Sequence, residues 1–241
     1  GVNGQNEMAA AFNEVGFNCI DVHMTDLISA RHTLAEFEGL VACGGFSYGD
    51  VLGAGGGWAN SILFNRDLRK QFGDFFHNEK VFSLGVCNGC QTLSLLKSLI
   101  PGATNWPDFK RNKSEKFEAR LVQVSVNESP SIFFKDMGDS IITVPVAHGE
   151  GRVDASDIDI SELNNNHHTT ITYSDDKGSF TENYPANPNG SLNGIAGVTN
   201  ISGTVTIMMP HPERAFLKDQ YSWSPDEWTH YSPWIKFFNN A

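Results

Sequence analysis

The stretch that decides the fold is Val81-Phe-Ser-Leu-Gly-Val-Cys-Asn-Gly-Cys-Gln-Thr-Leu-Ser-Leu-Leu96. Its first six residues are mostly apolar, which indicates a buried β-strand, and leucines recur at helical spacing further on, at positions 93, 95, 96 and 99. Between the two patterns lies the turn Gly85-Val-Cys-Asn-Gly89. Because paired glycines let a strand bend sharply into a helix, the sequence predicts a strand, a tight turn and a helix in the form of a nucleophile elbow.

Cys87 occupies the centre of this turn, where an elbow exposes a side chain at its apex. A cysteine there also lies at a helix N-terminus, whose positive dipole end favours the thiolate over the thiol. The backbone N–H of Asn88 follows directly and would point to where an oxyanion forms in acyl transfer. The pattern therefore predicts that Cys87 is a nucleophile.

Three other interpretations of Cys87 stay open at this point. A lone cysteine is more often a buried packing residue than a reactive one. Cys87-Asn-Gly-Cys90 is also a C-x-x-C segment after a strand, as in thioredoxin-like redox proteins. A zinc site would need a second pair of ligands at matching spacing, and since Cys19 and Cys43 stand alone, we expect no metal. A base and an oxyanion loop elsewhere in the chain would favour the nucleophile.

The composition is that of an ordinary globular protein. Of the 241 residues, 40% are hydrophobic and 19% are charged, and 17 basic against 28 acidic residues leave a net charge of −11. No basic cluster stands out, so we expect neither nucleic acid nor a membrane as partner. No apolar run approaches the ~18 to 20 residues that a membrane span needs. A reactive thiol without a disulfide pattern favours the cytoplasm.

Strand and helix patterns alternate through the first hundred residues. The segments Phe17–Val22 and Gly39–Cys43 indicate further strands, and Trp58–Phe76 indicates one long helix. From about residue 117 to 175 the pattern changes to period two, which predicts an added antiparallel, β-rich segment. We therefore expect an α/β fold with a doubly wound, mostly parallel sheet, in a single domain over residues 1–241.

The first predicted helix would need a further element before it in this fold. A helix over Glu7–Val15 requires a strand before it to make a right-handed crossover into Phe17–Val22. We therefore expect a first strand upstream of Gly1, beside the strand that carries Cys87, and a longer parent polypeptide. Unpaired groups left by its absence would cost ~1 to 3 kcal/mol each, so we expect residues 1–241 not to fold alone as a stable, active protein.

Two further segments supply the missing chemistry. Gly44-Gly-Phe-Ser-Tyr-Gly-Asp50 follows the strand at 39–43, and its glycines allow close backbone approach and offer N–H donors to a ligand. Later, Pro210-His-Pro-Glu-Arg214 follows another apolar run. In an extended segment His211 and Glu213 would share a face, so the carboxylate could orient the imidazole as in a nucleophile–base–orienter triad.

Together these motifs resemble those of the class I (triad) glutamine amidotransferases. Within that class, nearly the whole chain is similar to the glutaminase domains of phosphoribosylformylglycinamidine synthases in their large, single-chain form. The resemblance is carried by motifs in a fixed order, namely Gly44–Asp50, Gly85–Gln91, His148–Gly151, Tyr184-Pro-Ala-Asn-Pro-Asn-Gly190 and Met209–Arg214.

The resemblance implies a catalytic role for each matching residue. It implies that Cys87 is the nucleophile, that His211 is the base and acid, and that Glu213 orients His211. The N–H groups of Gly45 and Asn88 would be the oxyanion donors.

The resemblance also implies a substrate and partners. Gln91 would contact the substrate glutamine, and His148 and Gly149 would line the same pocket. Glutamine would be hydrolysed to glutamate and ammonia through a thioester on Cys87. Ammonia would pass to a synthetase region of the same polypeptide, which uses ATP and magnesium on formylglycinamide ribonucleotide in purine biosynthesis, while this domain itself needs no cofactor. A redox protein using Cys87 and Cys90, or a catalytically silent glutamine-binding regulatory domain, stays open as an alternative.

Overall fold

Helices and strands alternate up to residue 95, and strands dominate after it. The computed structural model describes residues 1–154, 156 and 158–241. Its helices are α1 (Gln5–Glu14), α2 (Met24–Ile28), α3 (Gly56–Leu63), α4 (Arg66–Phe76), α5 (Asn88–Leu95), α6 (Ile160–Asn165) and α7 (Trp234–Asn239). Its strands are β1 (Gly39–Ala42), β2 (Phe82–Val86), β3 (Phe109–Lys110), β4 (Glu118–Val126), β5 (Ile141–His148), β6 (Arg152–Val153), β7 (Thr169–Tyr173), β8 (Ile195–Thr199) and β9 (Val205–Met208). None of the described helices is long and apolar enough to cross a membrane.

One mixed sheet organises the described part of the chain, with its strands in the order β1-β2-β9-β8-β7-β4-β5. Strands β1, β2 and β9 are parallel neighbours, and the pairs from β9 to β5 are antiparallel. Every residue of β2 is buried, and α5 follows β2 after a tight turn. This arrangement confirms the α/β fold class and the predicted strand, turn and helix.

The period-two segment forms antiparallel strands, as predicted, and these strands extend the main sheet. β4 pairs with β5 on one side and with β7 on the other. Successive antiparallel pairings leave β5 running in the same direction as β1, β2 and β9. The carboxyl end of β5, at His148, therefore lies at the same edge of the sheet as the elbow.

The strand predicted at Phe17–Val22 does not form. These residues belong to no strand, and the sheet ends at β1. A strand needs the hydrogen-bond ladder of a neighbour, and no described strand lies beside this segment. Within this segment the ring of Phe17 packs edge-on against Phe12 and Phe82, whereas Ile20 is exposed.

The single long helix predicted over Trp58–Phe76 is also wrong, because two helices cover this region. α3 ends at Leu63 and α4 begins at Arg66. Between them the side chain of Asn65 accepts hydrogen bonds from the N–H groups of Asp67 and Leu68, at 3.0 and 3.1 Å. An asparagine in this role starts a new helix, and its local bonding outweighs the continuous apolar periodicity.

The sequence predicted that a missing first strand would leave backbone groups unpaired beside the strand that leads to Cys87, and this is not observed. β2 pairs in parallel with β1 on one side and with β9 on the other. The sequence pattern suggested a different neighbour because it cannot show that β9, more than a hundred residues later, returns to this position. The carboxyl ends of β1, β2 and β9 consequently meet at one edge, where ligands bind in open α/β sheets.

Gly89 lets α5 lie directly on β1. A Cβ built on Gly89 would overlap the carbonyl oxygen of Ala42, which is backbone and cannot move aside. By contrast, nothing lies within 4 Å of a Cβ built on Gly73 in α4.

We expect Gly89→Ala to lower the free energy of unfolding by ~1 to 3 kcal/mol or more, because overpacking forces backbone shifts. The matched control Gly73→Ala should raise it by ~0.5 to 1 kcal/mol, because alanine is the better helix former. Urea unfolding of both variants would measure the difference. Equal effects at the two positions would contradict the close approach of α5 to β1.

Candidate active site

Cys87 lies in the turn between β2 and α5 in a strained backbone conformation. Its φ of 54° and ψ of −108° fall where non-glycine residues are uncommon. The turn is held by a hydrogen bond from the N–H of Cys87 to the carbonyl of Met208 in β9, at 2.9 Å. Cys87 is only 6% exposed and lines a cleft. The sequence had predicted a side chain exposed at the apex of the turn.

His211 and Glu213 form a buried pair just after β9. Nδ1 of His211 lies 2.6 Å from Oε1 of Glu213, and each side chain is 1% exposed. The sequence predicted that the two side chains share a face of an extended segment. The structure instead forms a 3-10 turn at Pro212–Arg214, and the pair meets within this turn. Nε2 of His211 is buried and has no hydrogen-bond partner among the described residues. The carboxylate thus orients the ring and leaves one ring nitrogen free.

Gly44 shows that Cys87 and His211 face the same point. A Cβ built on Gly44 would lie 2.9 Å from Cε1 of His211 and 3.4 Å from Cβ of Cys87. The two side chains therefore flank one backbone position, which follows β1. Only a residue without a side chain leaves them room to approach each other.

Gly45 continues the loop after β1 and has an N–H group that donates to no described residue. The neighbouring groups are occupied, since the N–H of Asn3 donates to Gly44 at 2.8 Å and the N–H of Phe46 donates to Gly1 at 2.7 Å. The N–H of Asn88, at the start of α5, is likewise without a described partner, as expected for a first helical residue. Two backbone donors near Cys87 remain available to a ligand.

The side chain of Asn88 ties this loop to the elbow, a contact that the sequence did not indicate. Its Oδ1 accepts from the N–H of Ser47 at 3.3 Å. Its Nδ2 donates to Oδ1 of Asp50 at 3.3 Å and lies 3.4 Å from Oε1 of Gln91. Loop and elbow are thereby held in one arrangement.

A cleft of about 160 Å³ opens above the elbow. It brings together the predicted residues Cys87, Gln91, His148, Gly149 and His211, and the backbone of Gly45. The sequence did not single out the other residues that line it, which include Asn3, Phe46, Asp50, Phe117, Glu150 and Arg214.

Two carboxylates give the cleft a negative end. Burial, and then the charge of Glu150, raise the pKa of Asp50 above its usual range. Oε2 of Glu150 accepts from the N–H of Ala54 at 3.2 Å, and Gln91 donates to the carbonyl of Glu150. Since two like charges close together are unfavourable, this end of the cleft favours a cationic ligand group.

The whole chain matches one known protein family. A family model of the CobB/CobQ-like glutamine amidotransferase domain matches residues 1–241. The chain belongs to this family. Membership of this family implies that glutamine is the substrate of the domain.

Solved structures of other proteins resemble this amidotransferase domain. The structure of PurLQS from Thermotoga maritima matches with a TM-score of 0.71 and 27% identity, over 91% of this chain and 87% of that chain. The glutaminase domain of Trypanosoma brucei CTPS with bound acivicin matches with a TM-score of 0.58 and 13% identity, over 98% and 85% of the two chains. A glutamine amidotransferase from Thermotoga maritima matches with a TM-score of 0.51 and 18% identity, over 86% and 70%. The last two show the shared fold alone.

Cys90 is poorly placed for the redox alternative in this amidotransferase. It is fully buried in α5, and burial, followed by the charge of Cys87, raises its pKa well above the usual range. Both cysteines are free thiols. Thiol–disulfide exchange needs a thiolate with access to its target, so the arrangement disfavours a Cys87–Cys90 redox pair. Among the described residues, no three His, Cys, Asp or Glu side chains cluster as a metal site.

Opposing effects act on His211. Burial alone would lower its pKa, but the charges of Glu213 and Cys87 outweigh burial and raise the pKa to about 10. His211 is therefore an imidazolium at neutral pH in the unliganded site. The native state binds the His211 proton more tightly than the unfolded chain does, where the histidine pKa is near ~6.5. This proton therefore stabilises the native state fully below pH ~6.5, and the stabilisation is lost as the pH rises through about 10.

We expect Glu213→Gln to lower the pKa of His211 strongly, because burial then acts without the opposing carboxylate. The imidazolium should be lost near neutrality, and the fall of stability between pH 7 and 10 should become shallower. NMR titration of the His211 ring and urea unfolding across this pH range would measure both effects. Glu79→Gln, at an exposed position, is the control, and an unchanged His211 pKa in Glu213→Gln would show that another group holds the proton.

Proposed function

We propose that this amidotransferase domain hydrolyses glutamine to glutamate and ammonia through a thioester on Cys87, and that the ammonia serves the synthesis of formylglycinamidine ribonucleotide. One observation carries the first part. Cys87, His211 and Gly45 line the cleft, Glu213 pairs with His211, and the N–H groups of Gly45 and Asn88 have no described partner. These are the nucleophile, base, orienting carboxylate and oxyanion donors of acyl transfer.

In the first half-reaction, the Cys87 thiolate attacks the side-chain amide carbon of glutamine. The N–H groups of Gly45 and Asn88 donate to the oxygen as negative charge develops on it. The carbon–nitrogen bond breaks, and His211 gives its proton to the departing nitrogen, so ammonia leaves and a glutamyl thioester remains. The thioester has no negative charge on sulfur, so one of the charges that raise the pKa of His211 disappears and proton release becomes easier.

In the second half-reaction, neutral His211 takes a proton from water. The resulting hydroxide attacks the thioester carbon, and the bond between carbon and sulfur breaks. The γ-carboxylic acid so formed loses its proton to solvent and leaves as glutamate, and the Cys87 thiolate and the His211 imidazolium are restored. A cysteine suits both steps because it is strongly nucleophilic and leaves as a stable thiolate.

Two carboxylates that line the cleft suit the amino-acid part of the substrate. Asp50 and Glu150 offer carboxylates to the α-ammonium group, which relieves their mutual repulsion. Gln91 holds the carbonyl of Glu150, so it positions this end of the cleft as well. The reaction itself needs no cofactor in this domain.

The acceptor of the ammonia is proposed from the sequence motifs and from the similarity to PurLQS of Thermotoga maritima. In this proposal a synthetase region of the same polypeptide binds ATP and magnesium and converts formylglycinamide ribonucleotide to its amidine, a step of purine biosynthesis. The reduced thiol that the chemistry requires suits the cytoplasm.

The test is an assay of ammonia release from glutamine, followed by amidine formation in the complete protein with its synthetase region. Glutamine should support both reactions, and ammonium chloride should replace glutamine only in the second. Glutamine binding without ammonia release would favour a silent regulatory domain. Release of ammonia without amidine formation would overturn the assigned acceptor and leave the glutaminase intact.

A further inference from the structure

The turn Tyr184–Ser191 contains the motif Tyr184–Gly190, which resembles one in phosphoribosylformylglycinamidine synthases, but it supplies nothing to the chemistry described above. Its Asn189 is fully buried. Nδ2 of Asn189 lies 2.7 Å from the carbonyl oxygen of Gly151 and 3.0 Å from Nε2 of His148. The turn thus contacts a residue that lines the glutamine cleft.

The orientation of the Asn189 amide is determined by partners that can act in one way only. The carbonyl of Gly151 can only accept, so it requires the NH₂ end of the amide. The N–H of Ser191 can only donate, and it lies 3.0 Å from Oδ1. The second N–H of Asn189 is therefore directed to His148, at a shorter distance than the 3.3 Å to the hydroxyl of Tyr173.

An N–H donor facing Nε2 of His148 makes that nitrogen an acceptor. A neutral imidazole with an accepting Nε2 carries its proton on Nδ1. Nδ1 of His148 is buried and has no hydrogen-bond partner among the described residues, although the ring is only 2% exposed and lines the cleft. A buried N–H without an acceptor is unfavourable, so its position in a binding cleft points to a ligand oxygen.

The environment of His148 also keeps the ring neutral. Burial, and then the charge of His211, lower the pKa of His148 to about 3. Protonation would in addition turn Nε2 into a donor facing the N–H of Asn189. His148 therefore provides a donor beside the cationic His211 without adding a second positive charge.

We propose that Asn189 is a positioning residue that holds His148 in the Nδ1–H tautomer, so that His148 donates a hydrogen bond to the α-carboxylate of glutamine. This inference rests on the proposed function. Glutamine has acceptor oxygens only on its amide and its carboxylate, and the N–H groups of Gly45 and Asn88 already serve the amide oxygen. The carboxylate is the acceptor that remains for His148.

The first test is NMR of the full chain with ¹⁵N in the imidazole rings. The signals of His148 are those missing in His148→Asn, and wild type should show the Nδ1–H tautomer at pH 7. Addition of glutamine should shift the Nδ1–H signal. An Nε2–H tautomer, or no shift on saturation with glutamine, would overturn the proposal, and both results are obtained without any turnover.

The second test compares Asn189→Asp with Asn187→Asp. Aspartate at 189 can only accept, so it should reverse the tautomer or protonate the ring and raise KM for glutamine ~10- to 100-fold, with little change in kcat. Asn187 donates to the carbonyls of Thr181 and Ser191 and does not touch His148, so Asn187→Asp disturbs the same turn without changing the tautomer. Equal KM values in the two variants would mean that Asn189 only stabilises the turn.

A third comparison identifies the atom that His148 contacts. His148→Asn places an amide N–H near the position of Nδ1 and should keep KM within a few-fold of wild type, whereas His148→Leu should raise it. A contact to the carboxylate acts equally on bound substrate and transition state, so kcat should change little. A fall in kcat at constant KM would assign the contact to the amide oxygen and overturn the proposal. Absence of ammonia release from wild type would count against the proposed function and not against the tautomer.

Discussion

Cys87→Ser is expected to abolish glutamine hydrolysis. A serine hydroxyl at this position is far less nucleophilic at neutral pH than a cysteine thiolate. The backbone strain at Cys87 and the hydrogen bond to Met208 do not depend on the sulfur, so the variant should fold normally. Ammonia release and a thermal melt would measure activity and stability separately.

Cys90 provides the matched control for this prediction. It is fully buried in the first turn of α5, so alanine is a cleaner replacement than serine, which would bury a hydroxyl. Cys90→Ala should retain most of the activity. Cys90→Ser should also retain most of it, provided that the buried hydroxyl forms a hydrogen bond. Equal loss in Cys87→Ser and Cys90→Ala, with a detectable Cys87–Cys90 disulfide in wild type, would favour the redox protein.

His211→Ala should lower kcat by ~10² to 10⁴-fold, the usual contribution of general acid–base catalysis. The variant loses the proton donor for ammonia and the base for water, and the Cys87 thiolate loses its neighbouring cation. Steady-state kinetics with glutamine would measure the change.

His148→Ala is the control for the histidine assignment. His148 is buried at the end of β5 and is neutral at physiological pH, so it cannot exchange a proton as His211 does. Its loss should raise KM for glutamine and leave kcat largely unchanged. If His148→Ala lowered kcat and His211→Ala raised KM, the assignment of the base would be wrong.

Part of this structure could be predicted because it depends on neighbours in sequence. Gly85 and Gly89 are close enough to Cys87 that the strand, turn and helix follow from local geometry alone. The alternation in β4 and β5 follows from the two faces of a sheet, since alternate residues are buried. The same local rules failed at Asn65, where a side-chain cap divides a continuous helical pattern.

The sequence by itself thus determined the fold class and the elbow, because these depend on patterns and contacts within a few residues. Only the tertiary structure decided which distant groups complete the cleft. In the sheet, β9 lies beside β2, and β5 runs in the same direction as both strands. Hydrogen bonds then connect residues that are far apart in sequence, namely Asp50 with Asn88, Glu150 with Ala54 and Asn189 with His148, which are separated by 38, 96 and 41 positions. A hydrogen bond requires its partners within about 3 Å in space, and no local pattern encodes which remote residue will meet that requirement.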